Sequence, residues 1–154
     1  MYRDHPLSNE HSISPLDFLL NILWLVLGGA VAALAWFAAA FIMAITIIGL
    51  PWARAAFDNG IYTLWPFGAR AVNRDILYGN DIGTGLFGFL GNIVWLALFG
   101  WWLALGHFVT ALALGITIIG LPFAWAHLKL AGYSLWPIGR TIIRGNMARS
   151  YSYS

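Results

Sequence analysis

The chain has 154 residues, of which 60% are hydrophobic, 16% aromatic and 9% charged, with a formal net charge of +2. A soluble domain is about 45–50% apolar and about 25% charged, so a water-facing globular domain is excluded; the same wealth of apolar side chains excludes a disordered chain. An integral membrane protein remains. The absence of cysteine removes disulfides, thiolate catalysis and cysteine-bound metal, and the small net charge without any basic block interleaved with aromatics points away from nucleic acid.

Residues 1–17 are net acidic, with Arg3 against Asp4, Glu10 and Asp17. A charge-free run then extends from Phe18 to Ala53, too long and too acidic in its approach for a cleaved signal peptide. Ser14 as N-cap, Pro15 at the first helical position and Asp17 in the first turn start a helix there. A run near 40 residues accommodates two crossings of about 20 each. Arg54, Arg70 and Arg74 are then balanced by Asp58, Asp75 and Asp81, and a second charge-free run follows from Ile82 to Ala126. From Lys129 onward come Arg140, Arg144 and Arg149 with no acid. Two crossings per run put every Lys and Arg on one side, whereas one crossing per run splits them five against three; the positive-inside rule favours the former. The expected fold is therefore all-α, with four transmembrane helices near 15–34, 37–57, 85–105 and 108–129 and both termini cytoplasmic. Hairpin tips fall at Ala35-Trp36 and Gly106-His107, which places Trp36, Trp101, Trp102 and a wet His107 toward the outer interface.

The chain is one unit written twice. A shift of 71 residues carries Asn21-Ile-Leu-Trp24 onto Asn92-Ile-Val-Trp95, Ile45-Thr-Ile-Ile-Gly-Leu-Pro51 onto the identical Ile116–Pro122, and Tyr62-Thr-Leu-Trp-Pro-Phe-Gly68 onto Tyr133-Ser-Leu-Trp-Pro-Ile-Gly139. The division is a tail at 1–14, a first membrane repeat at 15–70, a linker at 71–84, a second repeat at 85–141 and a tail at 142–154. The halves are expected to be tandem helical hairpins related by an axis along the membrane normal.

Candidate sites rest on few polar groups. Pro51 and Pro122 each remove a backbone donor, so the second helix of each repeat is expected to break near Thr46–Gly49 and Thr117–Gly120. Freed carbonyls at membrane depth need protein or water partners. Asn21 and Asn92, amides inside apolar runs, join these breaks as candidate pore-lining groups; interhelical glue is the blander role. Asp58 and Lys129 occupy equivalent positions with opposite charge and are candidate mouth charges. Trp65 with Arg70 and Arg74, and Trp136 with Arg140 and Arg144, read as interface anchors that meet anionic lipid, and the stretch from Asp58 to Leu64 reads as lying along the membrane surface. Gly83-Thr-Gly85-Leu-Phe-Gly88 fits a dinucleotide pattern but lacks the strand before it and the acidic residue after it, so helix packing explains it better. His5, His11, His107 and His127 show no metal-ligand spacing. No pair of carboxylates and no nucleophile–base constellation lies in the apolar body, so neither an enzyme nor a cofactor is expected.

The order Asn-x-x-Trp, a glycine-rich helix turn, Ile-x-Ile-Ile-Gly-x-Pro and Leu-Trp-Pro-x-Gly-Arg resembles the YccF-type bacterial inner-membrane proteins, whose inner membrane component domain usually occurs twice. The resemblance covers roughly residues 18–144; the first copy departs where Gly68-Ala69-Arg70 replaces Gly139-Arg140. It implies a multi-pass protein of the bacterial cytoplasmic membrane and supplies no catalytic residues. The specific expectation is a homo-oligomeric channel or small transporter with its path between subunits. The alternative is a non-transporting scaffold or regulatory subunit that binds another membrane protein or lipid.

Overall fold

A computed structural model describes residues 13–47, 49–81 and 83–145; the distal parts of both expected tails lie outside the described residues. Helix α1 spans Pro15–Ile45. It starts where the capping signal places it, with the Asp17 amide donating to Ser14 Oγ at 3.0 Å. Its 31 residues amount to about 46 Å at 1.5 Å per residue. The helix runs straight through Ala35-Trp36, so the expected tip there is wrong. The chain reverses instead at residues 46–49, and α2 returns antiparallel over Leu50–Leu64. Thr46 Oγ1 donates to the Met43 carbonyl at 2.9 Å and accepts from the Gly49 amide at 3.1 Å, which satisfies the turn's own backbone groups. Pro51 therefore does not break a helix. It occupies the first turn of α2, where the missing N–H has no intrahelical partner to lose.

The second repeat repeats this plan. Helix α4 spans Leu86–Gly115, Thr117 Oγ1 donates to Leu114 and accepts from Gly120 at 3.0 Å each, and α5 spans Leu121–Leu135 with Pro122 in its first turn. Both long helices carry a π-type turn, at Leu25–Gly29 and Leu96–Gly100. Only the first is kinked, because Gly28 adopts φ +121°; Phe99 holds the equivalent place and stays helical.

Among the described residues, α1 and α4 are the two helices long and apolar enough to cross a membrane. The returning helices have 15 residues each, about 22 Å, against a hydrocarbon core of about 30 Å. Charge placement reports which side a loop favours, not where a helix turns, and so it did not distinguish four full crossings from two long helices with shorter returns.

A two-stranded antiparallel ribbon joins the repeats. Strand β1, Ala69–Asn73, is followed by the short helix α3, Arg74–Tyr78, and pairs with β2, Arg140–Arg144. The register sets Ala71 opposite Ile142, residues that the 71-residue shift makes equivalent, and the other pairs fall symmetrically about them. The Arg74 amide donates to the Gly139 carbonyl and the Gly145 amide to Gly68, both at 2.9 Å, which extends the ribbon equally at each end. A pseudo-twofold axis thus passes between Ala71 and Ile142, normal to the ribbon.

The repeats interlock rather than stand side by side. One buried cluster combines Trp36, Ala39, Met43, Ala53 and Ala56 of the first repeat with Trp95 and Ile138 of the second. The other combines Phe123, Ala126, Leu130 and Tyr133 with Trp24, Tyr62 and Ala69. Tyr62 and Tyr133 meet edge to face at 5.6 Å near the axis. Outside these clusters the helices present apolar side chains, including Val26, Val31, Phe41 and Val109, and the hairpin turns present Ile47, Ile116 and Ile118, where a lipid-facing surface needs them.

Candidate functional site

Asn21 and Asn92 are wholly or almost wholly buried, and each clamps the turn that ends its own repeat. Asn21 Nδ2 donates to the Phe67 carbonyl and Asn21 Oδ1 accepts from the Phe67 amide, both at 3.0 Å. Asn92 treats Ile138 identically, at 2.9 and 3.0 Å. Three residues on, the indole of Trp24 donates to the Thr63 carbonyl and that of Trp95 to the Ser134 carbonyl, each at 2.7 Å. The Asn-x-x-Trp and Leu-Trp-Pro-x-Gly motifs are therefore two halves of one joint. The amide supplies both the donor and the acceptor that an otherwise unpaired peptide unit lacks, and the indole takes a carbonyl in the last turn of the returning helix. Gly29 makes room for this, since a Cβ there would strike the Trp24 ring.

Of the six residues of the expected helix breaks, Thr46, Gly49, Thr117 and Gly120 form the two hairpin turns already described, and Pro51 and Pro122 start the returning helices. Asp58 lies 3.9 Å from Arg54, one helical turn away, and both are exposed. Lys129 is also exposed on α5. Trp65 is half-buried, packs on Phe18 at 5.7 Å, and its carbonyl accepts from Arg144 Nη1 at 2.9 Å. Trp136 packs on Phe89 at the same separation. Arg70 is exposed on β1.

Arg74 pairs with Asp81 through Nε and Nη2, both at 2.8 Å. Asp81 Oδ1 also accepts from the Gly83 and Thr84 amides. Desolvation pushes the Asp81 carboxyl up most strongly among single influences, but the Arg74 hydrogen bond, the two amides and the Arg74 charge together outweigh it and hold its pKa below the usual carboxylate value. The glycine-rich segment that follows is a packed turn, since any side chain at Gly88 would strike the Gly83 carbonyl.

A cleft of about 650 Å³ opens between α2, β2 and this turn. It is lined by Arg54, Arg74, Arg140 and Arg144 against Asp58 and Asp81. Arg140 also lies 5.3 Å from the centre of the Tyr133 ring. Asn59 faces the cleft from α2; it is 2% exposed and its Nδ2 has no hydrogen-bond partner among the described residues. The sequence reading passed over Asn59, whose signal is a polar residue where the other repeat has Leu130.

His107 is not at an interfacial tip. It is buried at mid-helix, with its Nδ1 2.9 Å from Nδ1 of His127, which is also buried. One ring must donate and the other accept at that contact. The His127 ring packs against Trp24, tilted by 40° at 4.4 Å between ring centres. In the first repeat the equivalent places hold Trp36, stacked on Trp95 at 5.0 Å, and Ala56. A large–small pair in one repeat is thus a pair of medium rings in the other. The repeat alignment carried that exchange; hairpin tips set by span length at Ala35-Trp36 and Gly106-His107, which put Trp36 and His107 at the interface, hid it. Among the described residues no group of three or more His, Asp or Glu is placed to hold a metal.

The inner membrane component domain, the YccF family model, matches residues 19–69 and 90–140. The chain is 37% identical over 134 residues, 86% of its own length and 90% of the relative's, to the inner membrane protein YccF of Escherichia coli strain K12. It matches the inner membrane protein YccF of Shigella flexneri to the same extent. No solved structure matches significantly.

Proposed function

This chain belongs to the YccF inner membrane component family, and from that premise we propose that it is a non-transporting scaffold or regulatory subunit of the inner membrane that binds lipid or another membrane protein. One observation carries the reading. The groups expected to line a path, Asn21, Asn92, Thr46 and Thr117, all spend their hydrogen bonds on backbone within the chain. A pore lining needs polar groups turned toward water with hydrogen bonds to spare; Asn21 and Asn92 are buried and paired, and the Thr46 and Thr117 hydroxyls, although exposed, are taken up in closing their own turns. The competing reading, a homo-oligomeric channel or small transporter with a path between subunits, loses the residues that motivated it. No catalytic step is assigned.

In this proposal the ribbon, with Arg70, Arg140 and Arg144, lies flat on the cytoplasmic face and both termini face the cytoplasm. The concentration of basic residues supports that orientation, and an axis normal to the ribbon then runs along the membrane normal, as tandem repeats of one orientation require. The two strands of the ribbon share one face, so each hairpin must return to the face it entered from, whether or not its 15-residue second helix crosses the full hydrocarbon core.

The test is paired. Purified protein in proteoliposomes is expected to carry no flux of ions or small solutes above empty vesicles, while crosslinking in native membranes is expected to trap a lipid or a second membrane protein reproducibly. A saturable flux would overturn the reading.

A further inference from the structure

The cleft beside α2 has the chemistry of an anion site. Arg74 is committed to Asp81 by two contacts of 2.8 Å. Arg144 gives one nitrogen to the Trp65 carbonyl and keeps the rest of its guanidinium. Arg140 rests over Tyr133 without an acid partner among the described residues, and Arg54, 91% exposed in its side chain, reaches Asp58 only at 3.9 Å. Three guanidiniums therefore keep unused donors around one carboxylate. Beneath them the Asn59 amide is buried with its donor unmet, although buried polar groups are as a rule hydrogen-bonded. The cleft is short of acceptors and of negative charge.

The internal duplication separates fold from function at this place. At the equivalents of Arg54, Asn59, Arg140 and Arg144 the other half of the molecule has Trp125, Leu130, Ala69 and Asn73. Leu130 is fully buried in an apolar cluster. The hairpin thus closes with leucine where Asn59 stands, so the scaffold does not need the amide, and none of the three free arginines is repeated.

We propose that this cleft binds a phosphate-bearing anion, with Arg54, Arg140 and Arg144 supplying charge and paired N–H groups and Asn59 Nδ2 donating to a phosphate oxygen. Guanidinium forks match phosphate oxygens two at a time, and Trp52, Ile61 and Ile142 give the same cleft an apolar wall. The ligand chemistry is shared by an anionic phospholipid headgroup and by a soluble phosphate. The proposal names the ligand class for the binding role above and rests on it.

Full-length protein in detergent micelles is titrated calorimetrically with inorganic phosphate, with short-chain phosphatidylglycerol and with phosphatidylcholine of the same chain length. Saturable binding of phosphatidylglycerol without phosphatidylcholine, weakened at least tenfold by Asn59→Leu and by Arg140→Gln, is the expected result and assigns a lipid headgroup. Binding of inorganic phosphate with the same dependence on both variants supports the site and assigns a soluble source. No saturable binding of either anion, or binding that both variants leave unchanged, overturns the proposal. Asn59→Leu installs the residue of the other repeat and is checked by its elution and thermal unfolding; if it fails to fold, Arg140→Gln on the ribbon decides alone. Flux in proteoliposomes would end the non-transporting reading without abolishing this binding, and absent binding would end this inference without creating flux.

Discussion

Asn92→Ala tests the clamp that defines each repeat. The substitution removes both hydrogen bonds to Ile138, at 2.9 and 3.0 Å, and leaves the Ile138 amide and carbonyl buried without partners, since Ile138 is itself in the core. Each orphaned backbone group costs about 1–3 kcal/mol. Polar contacts in a membrane protein average only about 0.6 kcal/mol, with a maximum near 1.7, because the unfolded chain also finds partners there. Two bonds therefore bracket the loss between about 1 and 6 kcal/mol, and about 2–3 kcal/mol is expected. Trp95→Phe keeps the ring and removes only the 2.7 Å bond to the Ser134 carbonyl, so about 1 kcal/mol is expected. Both changes loosen one turn, so the double variant should lose less than the sum of the singles. Reversible unfolding in mixed micelles, followed by tryptophan fluorescence, measures all three. An Asn92→Ala protein within about 0.5 kcal/mol of wild type would show that the amide is not structural, and it would return Asn92 to the candidate pore residues.

Three further outcomes are expected. His107→Trp alone places a larger ring against His127 and should destabilise by about 1–3 kcal/mol through overpacking; adding His127→Ala recreates the Trp36–Ala56 arrangement and should recover most of that loss in the same unfolding assay. Asp81 has a depressed pKa, so its contribution to the 81–84 turn is fully present above the unfolded carboxylate value, about 3.9, and is lost as pH falls below that through the lower folded value. Hydrogen exchange at the Gly83 and Thr84 amides should therefore stay protected at pH 5 and accelerate only under strong acid; loss of protection already at pH 5–6 would contradict the assignment. Because the chain has no native cysteine, Thr141→Cys on the ribbon gives a clean topology probe. It should react with an impermeant maleimide in inverted membrane vesicles and not in intact spheroplasts, and the opposite pattern would invert the proposed orientation.

The duplication, the helix start at Ser14 and the membrane class were all legible in the sequence because each is a local or strictly periodic signal. The hairpin turns were legible in principle and misplaced in practice. Thr-x-x-Gly followed by Pro is a helix stop and restart, but the same proline inside an apolar run also reads as a kink, and the requirement of about 20 residues per span put the tip at Ala35-Trp36. The interfacial place this gave Trp36 is wrong, since Trp36 is fully buried on Trp95. Hydropathy sees an apolar side chain and cannot tell lipid from core. The ribbon escaped for a different reason. Arg-Thr-Ile-Ile-Arg has the β-branched content of a strand, yet five residues pair with nothing nearby, and the partner lies across the entire second repeat. Asn21 likewise finds Phe67 only once the hairpin has closed.

Comparison of the two repeats sorts structural from functional positions more sharply than either motif or burial alone. Where the copies agree, at Asn21 and Asn92, Trp24 and Trp95, Thr46 and Thr117, the side chains satisfy backbone groups that a membrane-embedded hairpin cannot leave unmet. Identity is then a requirement of the fold stated twice. Where the copies differ while the backbone stays equivalent, the fold has shown that it accepts either residue. Trp36 with Ala56 and His107 with His127 are two fillings of one pocket, and Asn59 and Leu130 are two residues for one buried helix position. An unpartnered amide costs stability that the leucine alternative does not, so its place beside three free arginines calls for an acceptor from outside the chain. The shared residues made the protein recognisable as a duplicated membrane unit, and the differences between its halves mark where a ligand would be bound.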